Sequence, residues 1–579
     1  MFEVHTGARP GRPIILLLTA AIVLMITLGV ARLQVAAKSA LGVAVRLQDS
    51  PFMVRPPKGW SESKEQPGRF YHSSEGRGLF SEWQDQRAVE FHYVMMYPGV
   101  TARDAAAFLV ENVSEHVENA RPASIGPWPG IEFQRSGAIV QGNQAIARIE
   151  ICRVAVSPRG DALIAQYRTF GTPTLGDLTR FDDICDAVTL SSDANVDVAQ
   201  DDTVASCGIR LKTLPAWTFF RPALAATPGF FASRADDAAP ITLEIIRTWQ
   251  SQQRPPRALA LDLAAERWNT HPADLEARDL PLSPDIAVVA LNRPHNSTDR
   301  STLVQLGAVS HGDEVLLYCA YSPKLTPKDA DGVIREVFAD VQFTPLALYE
   351  NLAGAKRSGK TVIENIRDHG IRHYWQTPIF RDVFASDDGV TQIRQERTRR
   401  IREFRGVTLH EGETTLVFAS PGIAKPLVLY HEQWQSNDDC SRFELSGTLP
   451  LEQPPVEYVE KRESATGLVS RQISGAVTRR YTYQPGPNFA VDPPLGELVR
   501  VALATGEEEQ VLIETPAIRG NTTAYELLTV LERSPQRVTI LTQSDFRPDG
   551  ILHIMDAASG ELVETKSART HLLRVTANK

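Results

Sequence analysis

Cysteine is scarce in this chain. Only Cys152, Cys185, Cys207, Cys319 and Cys440 occur among 579 residues, and none belongs to a Cys-x-x-Cys pair. That excludes a disulfide-dense scaffold and a cysteine-built zinc site. A basic surplus is missing as well: 61 Lys and Arg stand against 70 Asp and Glu, a net charge of −9. No nucleic-acid partner is therefore expected. There is no Gly-x-Ser-x-Gly elbow to hold a serine nucleophile. His431 opens "HEQWQ", but Gln435 stands where a zinc-protease motif needs its second histidine. The carboxylate pairs Asp182–Asp183 and Asp236–Asp237 are adjacent in sequence, so their side chains diverge and neither forms an acid–base site. Local motifs thus assemble no catalytic, cofactor or metal set, and a non-enzymatic protein is expected.

One long apolar run is present. "IILLLTAAIVLMITLGVA", Ile14 to Ala31, carries no charge. Eighteen helical residues rise about 27 Å, close to the hydrocarbon core of a bilayer. All faces of such a helix are apolar, which argues against a buried soluble helix. The run reads as a membrane anchor, residues 14–31, after a short cytoplasmic tail, 1–13, and before a polar stalk, 32–48. Small residues come after it in "VAAKSA", so a cleaved leader is the alternative. Arg9 and Arg12 precede the run, and Arg32 and Lys38 lie beyond it. The charge bias is slight, and the short tail before a long body is what favours an exported body.

The body contains an internal repeat. Strand-like "PFMVRPPKGW" and "AVEFHYVMMYP" are followed by a helical stretch from Thr101, then by "NQAIARIEICRVAV" and "DALIAQYRTF", then by the helix "LTRFDDICDAVTL". The same order returns as "IRLKTLPAWTFF", "ITLEIIRTW", "RALALDLAAERW", "HGDEVLLYCAY" and "ADGVIREVFADVQF". Trp60 and Gly160 stand 100 residues apart, Trp217 and Gly312 stand 95 apart. In the closing helices Phe181, Ile184, Cys185 and Val188 correspond to Ile334, Val337, Phe338 and Val341. Residues 49–195 and 203–346 are read as two copies of one α+β unit, with Trp60 and Trp217 in their cores.

That unit, opening on Pro56-Pro57-Lys58-Gly59-Trp60 and built of an antiparallel meander with two helices, resembles the PsbP/Mog1 family of α/β/α sandwiches. The second copy departs from the motif, with Leu214-Pro215-Ala216-Trp217 in its place. The resemblance implies a binding or assembly module and carries over no functional residue. Residues 347–579 are strand-rich, with helices expected only at "PLGELVRVALAT" and "AYELLTVLERS". By pattern this part resembles the LolA-type half-barrel of envelope lipoprotein carriers. The expected fold class is α+β: an N-terminal transmembrane helix, two tandem sandwiches and a mostly antiparallel β domain.

"GAKRSGKT" matches the phosphate-loop pattern through Gly354, Gly359, Lys360 and Thr361. Roughly one chain in fifty of this length matches by chance. A working loop needs a buried strand before it and a helix after it. Here "TPLALYENLA" precedes it, Gly370 interrupts the stretch after it, and no apolar strand ending in Asp supplies a magnesium ligand. No nucleotide is expected, and the segment reads as an exposed basic turn between domains. His369 and His373 have the four-residue spacing of a helical metal pair, but Gly370 lies between them and no carboxylate is in phase. "IRQERTRRIREFR", Ile393 to Arg405, is the basic cluster and reads as an exposed strand. Cys207 and Cys319, near a first and on a later strand of the second copy, are the candidate disulfide.

The expected function is that of a non-catalytic binding or assembly module at the cell membrane, with its body extracytoplasmic and an unidentified protein partner. One alternative is a carrier of an apolar ligand, which needs an apolar cavity within residues 347–579. The other is an envelope hydrolase, whose cleft would gather a histidine, a carboxylate and a serine or threonine.

Overall fold

A computed structural model describes residues 41–574 apart from 48–51, 63–68, 73–86, 96–99, 110–119, 142–143, 158–159, 171–172, 191–206, 212–216, 221–225, 235–239, 250–253, 269, 295–302, 323, 376–378, 388–391, 420–426, 451–454, 464–466, 476, 517–522 and 568–570. The apolar run Ile14–Ala31, the tail before it, most of the stalk and the Asp236–Asp237 pair lie outside the described residues. Among the described residues no helix is long and apolar enough to cross a membrane. The fold mixes α and β, with strands dominating.

The chain divides into two compact units. The first comprises Met1–Tyr93, Asn112–Ala155 and Leu163–Ala194; the second comprises Val94–Glu111, Val156–Ala162 and Asn195–Lys579. One seven-stranded antiparallel sheet starts at Ser61–Glu62, the other at Thr218–Phe220. With strands counted along the chain, both sheets have the spatial order 1-2-3-7-6-5-4. In both, a short strand before the sheet pairs with one beyond the last helix: Phe52–Val54 with Thr189–Leu190, and Ile209–Arg210 with Gln342–Phe343.

The closing helices explain themselves locally. Leu175–Asp186 begins at Thr174 and Pro327–Phe338 at Thr326, and each threonine exchanges hydrogen bonds with an aspartate three residues on, Asp177 or Asp329. These capping boxes satisfy amides that the first helical turn leaves without partners. Each helix buries one stripe. Phe181, Ile184, Cys185 and Val188 join Phe52, Trp128 and Tyr167 in the first core. Ile334, Val337, Phe338 and Val341 join Trp217, Phe230 and Tyr318 in the second. Before the last strand of each sheet the backbone turns at Gly160 and Gly312, with φ of 95° and 59°. A side chain is disfavoured there, which is why glycine recurs at both turns.

On its other face the second sheet packs the helix Pro256–Arg267, whose Leu259, Ala260, Leu263 and Ala264 are buried together with Ala524 and Phe546 of the C-terminal region. Residues 203–346 and 347–579, read as separate domains, thus share one hydrophobic cluster. Cys207 belongs to the cluster on the Tyr318 side of this sheet and Cys319 to the cluster on the Tyr321 side. Adjacent residues of a strand point to opposite faces. The two thiols expected to bridge are therefore separated by the sheet, and all five cysteines are buried.

The C-terminal region forms one 14-stranded antiparallel sheet. Eight strands from Ile379–Asp387 to Arg479–Tyr483 make one meander, and six from Gln510–Pro516 to His571–Arg574 make another. They join where Ile379–Asp387 pairs with His571–Arg574. "AYELLTVLERS", expected to be helical, is the strand Thr523–Arg533, held between Gln510–Pro516 and Arg537–Ser544. The expected helix at "PLGELVRVALAT" is Leu495–Thr505. It packs with Leu352–His369 over the apolar face of the second meander, where Val362, Ile366, Leu498 and Val511 meet Leu528 and Ile540.

"GAKRSGKT" is neither a phosphate loop nor a turn, because it lies inside the helix Leu352–His369. Ala355, Gly359, Val362, Ile363 and Ile366 form its buried stripe. A Cβ at Gly359 would stand 2.3 Å from the carbonyl oxygen of Leu512, so this glycine serves a close helix–strand approach. Lys360 points outward, half exposed, 3.7 Å from Glu364. Gly359→Ala is expected to lower unfolding stability by about 1–3 kcal/mol through overpacking. Lys360→Ala is expected to change it by less than about 0.5 kcal/mol. Denaturant unfolding of the two variants, with labelled ATP titrated against wild type and Lys360→Ala, checks this. Micromolar ATP affinity lost in Lys360→Ala would restore the nucleotide reading.

Candidate functional site

A strand presents alternate side chains to opposite faces. In Gln392–Phe404 this sorts the basic cluster into two sets. Arg394, Arg400 and Arg402 are exposed, as expected for the whole segment. Arg397 and Arg399 face the other way and are largely buried, which corrects that expectation.

Register carries this inner face across the first meander. Asp382, Arg397, Thr414, Glu432, Gly447 and Tyr458 are successive partners across six strands. The next inner row runs through Arg399, Gly412, Trp434, Leu445, Glu460 and Arg471. Each row contains one glycine, and each glycine makes room for a ring. A Cβ at Gly447 would meet Cζ of Tyr458 at 2.2 Å, and a Cβ at Gly412 would meet Cε2 of Trp434 at 2.3 Å. Lying over Gly447, the Tyr458 ring brings its hydroxyl to Glu432, to which it donates at 2.7 Å. Tyr430 donates to the same carboxylate oxygen.

Next to these rows lies a cavity of about 360 Å³. Asp382, Arg397 and Arg399 form its sheet wall. Glu497, Arg500, Val501 and Thr505 line it from one face of the helix Leu495–Thr505, spaced three and four residues apart. His373, Tyr374 and Trp375 enter from the short helix Ile371–Tyr374 and its end. Met555, the turn at Ala558–Gly560, Glu561 and Leu562 complete the lining.

The charges of this cavity are arranged in pairs. Arg397 pairs with Glu497. Arg500 makes two bonds to Asp492, of 2.8 and 2.9 Å. Arg574 holds both Asp382 and Glu561 at 2.7 Å. The Arg399 guanidinium carbon sits 4.1 Å from the centroid of Trp375, in cation–π contact. Burial, and then repulsion from Arg500, pushes Arg397 down to about 10. Burial, and then repulsion from Arg397, pushes Arg399 down to about 9. Burial also raises Glu432 to about 7, against the two tyrosine hydroxyls that favour its anion.

Two of the hydroxyls lining the cavity are engaged locally. Thr505 donates to the carbonyl of Val501, and Ser559 to Asp556 at 2.8 Å. The His369 and His373 rings lie 5.0 Å apart, but Gly370, with φ of 78°, breaks the helix between them. His369 binds the carbonyl of Asn365 at 2.8 Å. Among the described residues no group of three His, Cys, Asp or Glu is placed to hold a metal ion. His431 lies 3.1 Å from the Thr415 hydroxyl, away from the cavity lining. Asp182 pairs with Arg153.

No protein-family model matches the chain, and no curated protein matches it. Among solved structures it is similar to the crystal structure of a beta-barrel-like protein of domain of unknown function DUF1849 from Brucella abortus. Identity is 9 %, the TM-score is 0.25, and the match spans 34 % of this chain and 94 % of that one. A likeness of that size leaves function to be argued from this chain's own residues.

Proposed function

We propose that this chain is a single-pass, membrane-anchored protein of the cell envelope whose extracytoplasmic body is a non-catalytic binding module. The uncharged run Ile14–Ala31 supports the anchor. The observation that carries the binding role is the 360 Å³ cavity walled by Arg397, Arg399, Arg500 and paired carboxylates. It is of a size to enclose a small molecule, and its charges fix an orientation. Two PsbP/Mog1-like sandwiches at residues 49–195 and 203–346 are the assembly part of this reading, since linked modules raise effective concentration. An apolar-ligand carrier of LolA type fits less well, because the lining is dominated by charge.

A hydrolase is the second reading. It is favoured by the common lining of His373, Glu561 and Ser559, and opposed by the bond of Ser559 to Asp556 rather than to His373.

Protease added to cells whose outer layer has been permeabilised is expected to digest the body while leaving the anchor region in the membrane. Complete protection until the cells are lysed would overturn the proposed location. Crosslinking in intact cells is expected to capture a specific partner, and recovery of the body as an isolated monomer would end the assembly reading.

A further inference from the structure

The second inner row of the first meander continues past Arg471. Its next partner is Tyr481, on the strand Arg479–Tyr483 that ends the 14-stranded sheet. That strand pairs with Val469–Ser474, and among the described residues no strand pairs with its other side. An end strand of this kind opens more readily than a central one. What reaches it here is a turn of the second sandwich, His271 with the single-turn segment Pro272–Asp274 that it precedes. The His271 ring stacks on Tyr481, with centroids 6.1 Å apart and planes inclined by 13°. Arg479 donates to His271 Nδ1 at 2.6 Å and to both oxygens of Asp274 at 2.8 and 3.0 Å.

Donor chemistry fixes the state of the ring. Nδ1 receives the Ala273 amide N–H at 3.1 Å as well as the guanidinium N–H, and neither group can accept. Nδ1 therefore carries no proton and the ring is neutral. Its one N–H, at Nε2, donates to the Tyr481 oxygen at 2.5 Å. A second proton, on Nδ1, would set an N–H against two N–H donors and a positive charge beside Arg479. The charged groups placed around the ring are Arg479, Asp274, which Arg479 already holds, and Arg471, beside Tyr481 and paired with Glu460 at 3.7 Å. On the adjoining helix Pro256–Arg267 the charges are paired as Arg257–Asp279, Asp262–Arg254, Glu266–Arg547 and Arg267–Glu244.

We propose that His271 is a proton-sensitive latch, which fastens the end strand of the first meander to the second sandwich while neutral and releases it when protonated. Tyr483 on the same strand packs with Trp434, Phe443 and Val469, so release loosens the strand that closes this apolar cluster. The open form binds a proton that the closed form refuses. An ordinary histidine takes up its proton near pH 6.5, so the closed form loses ground below that value, by up to about tenfold at pH 5.5. The inference goes beyond the binding-module reading and does not depend on it.

Peptide-resolved hydrogen exchange of the full chain in nonionic detergent, at pH 7.5 and pH 5.5 and corrected for intrinsic rates, tests the latch. Protection of the amides in Arg479–Tyr483 is expected to fall by about three- to tenfold at pH 5.5. Protection of Ile286–Asn292, a strand inside the second sandwich's sheet, is expected to stay the same. Asparagine has an oxygen near the place of Nδ1, accepts the same N–H donors and takes up no proton. His271→Asn is therefore expected to abolish the difference between the two pH values. Arg479→Met removes the opposing donor, and in that variant His271 is expected to take up its proton at a higher pH than in the wild type. Exchange of the ring C2 hydrogen, read by mass spectrometry, follows that proton. Equal protection of Arg479–Tyr483 in the wild type at both pH values would overturn the latch. So would a loss at pH 5.5 that persists in His271→Asn, or proton uptake at His271 no easier in Arg479→Met. Should His271→Asn leave the strand unprotected at both pH values, the Arg479→Met titration decides.

Discussion

Arg254→Met is expected to destabilise the second unit by about 3–5 kcal/mol, the loss seen when one partner of a buried ion cluster is removed. The side chain of Arg254 is 4 % exposed and that of Asp545 is fully buried. The guanidinium donates to both Asp545 oxygens, at 3.1 and 3.3 Å, and to Asp262. It also lies over the Phe546 ring, 5.9 Å from its centroid. Asp262 stands on the helix Pro256–Arg267 and Asp545 between two strands of the large sheet. Arg254 is therefore the buried charge between the second seven-stranded sheet's helix and the C-terminal region, beside the pairs Glu266–Arg547 at 3.0 Å and Arg267–Asp549 at 3.8 Å. The arrangement is reinforced by Thr248, whose hydroxyl donates to the Asp545 carbonyl at 2.5 Å, and by Thr227, which donates to that of Asp549 at 2.7 Å.

Methionine keeps most of the volume of Arg254 and removes its charge, leaving two carboxylates buried without compensation. Burial already raises Asp545 to about 6 with the arginine present. In the variant both acids take up protons as the pH falls, so the loss should be larger at pH 8 than at pH 5. Denaturant unfolding at the two pH values measures this. The triple variant Arg254→Met, Asp262→Leu, Asp545→Leu is expected to recover most of the loss, since an apolar cluster of similar volume replaces buried ions at little net cost. A loss below about 1 kcal/mol for Arg254→Met at pH 8 would show that the cluster is solvated and that the docking rests on the apolar contacts of Leu263, Ala524 and Phe546 and on the Thr248 and Thr227 hydrogen bonds.

Sequence patterns with local causes were legible. The stripes of the two closing helices have the 3.6-residue period, whereas the starts, capped by Thr174 and Thr326 with their aspartates, lie three residues or more before the segments read as helical. The helix Leu495–Thr505 was legible for the same reason. The helix Leu352–His369 was not, although Ala355, Val362, Ile363 and Ile366 do keep that period. Its glycines read as loop signals, whereas Gly359 reports a close approach to Leu512, a partner far along the chain. The segment "AYELLTVLERS" erred in the opposite direction. Its composition suits a helix, and pairing on both sides makes it a strand.

The candidate site was legible only as a basic cluster. Which of its arginines turn inward depends on the register of Gln392–Phe404 with its two neighbours. The rows from Asp382 to Tyr458 and from Arg399 to Arg471 join residues with no common spacing, because each loop between strands sets its own offset. Single carboxylates that the sheet places on one inner row, such as Glu432 and Asp382, carry no signal along the chain.

Stability of the C-terminal region is expected to fall between about pH 5 and pH 8, and Glu432→Gln is expected to flatten that fall. Five acids there are held above their ordinary range by burial: Glu432, Glu460 and Glu526 at about 7, Asp545 at about 6, and Asp382. An acid raised in the folded state keeps its proton after the unfolded chain has released its own. The stability it contributes is complete below the unfolded value, about 4 to 4.5, and is lost as the pH rises through the folded value. His410 and His553, both lowered by burial, have the opposite sign and offset part of this fall below about pH 6.5, where the unfolded histidines bind protons that the folded ones do not. Glu403 and Asp556 are lowered as well, but the stability they contribute is lost only at more acidic pH. For Glu432 the cause is burial first, opposed by hydrogen bonds from Tyr430 and Tyr458, then strengthened by Asp492 and opposed by Arg397.

Glutamine retains an acceptor for the tyrosine hydroxyls and never ionises, so the variant should be more stable than wild type at pH 8, by at most about 3 kcal/mol. At pH 5 the two should be nearly equal. Tyr458→Phe removes the 2.7 Å bond to the carboxylate and should steepen the decline instead. Unfolding midpoints of the three proteins across this range provide the check. A flat wild-type profile, or a glutamine variant less stable than wild type at pH 8, would mean that Glu432 is ionised in the folded protein and neutralised by Arg397, making it part of the cavity's charge rather than a proton store beside it.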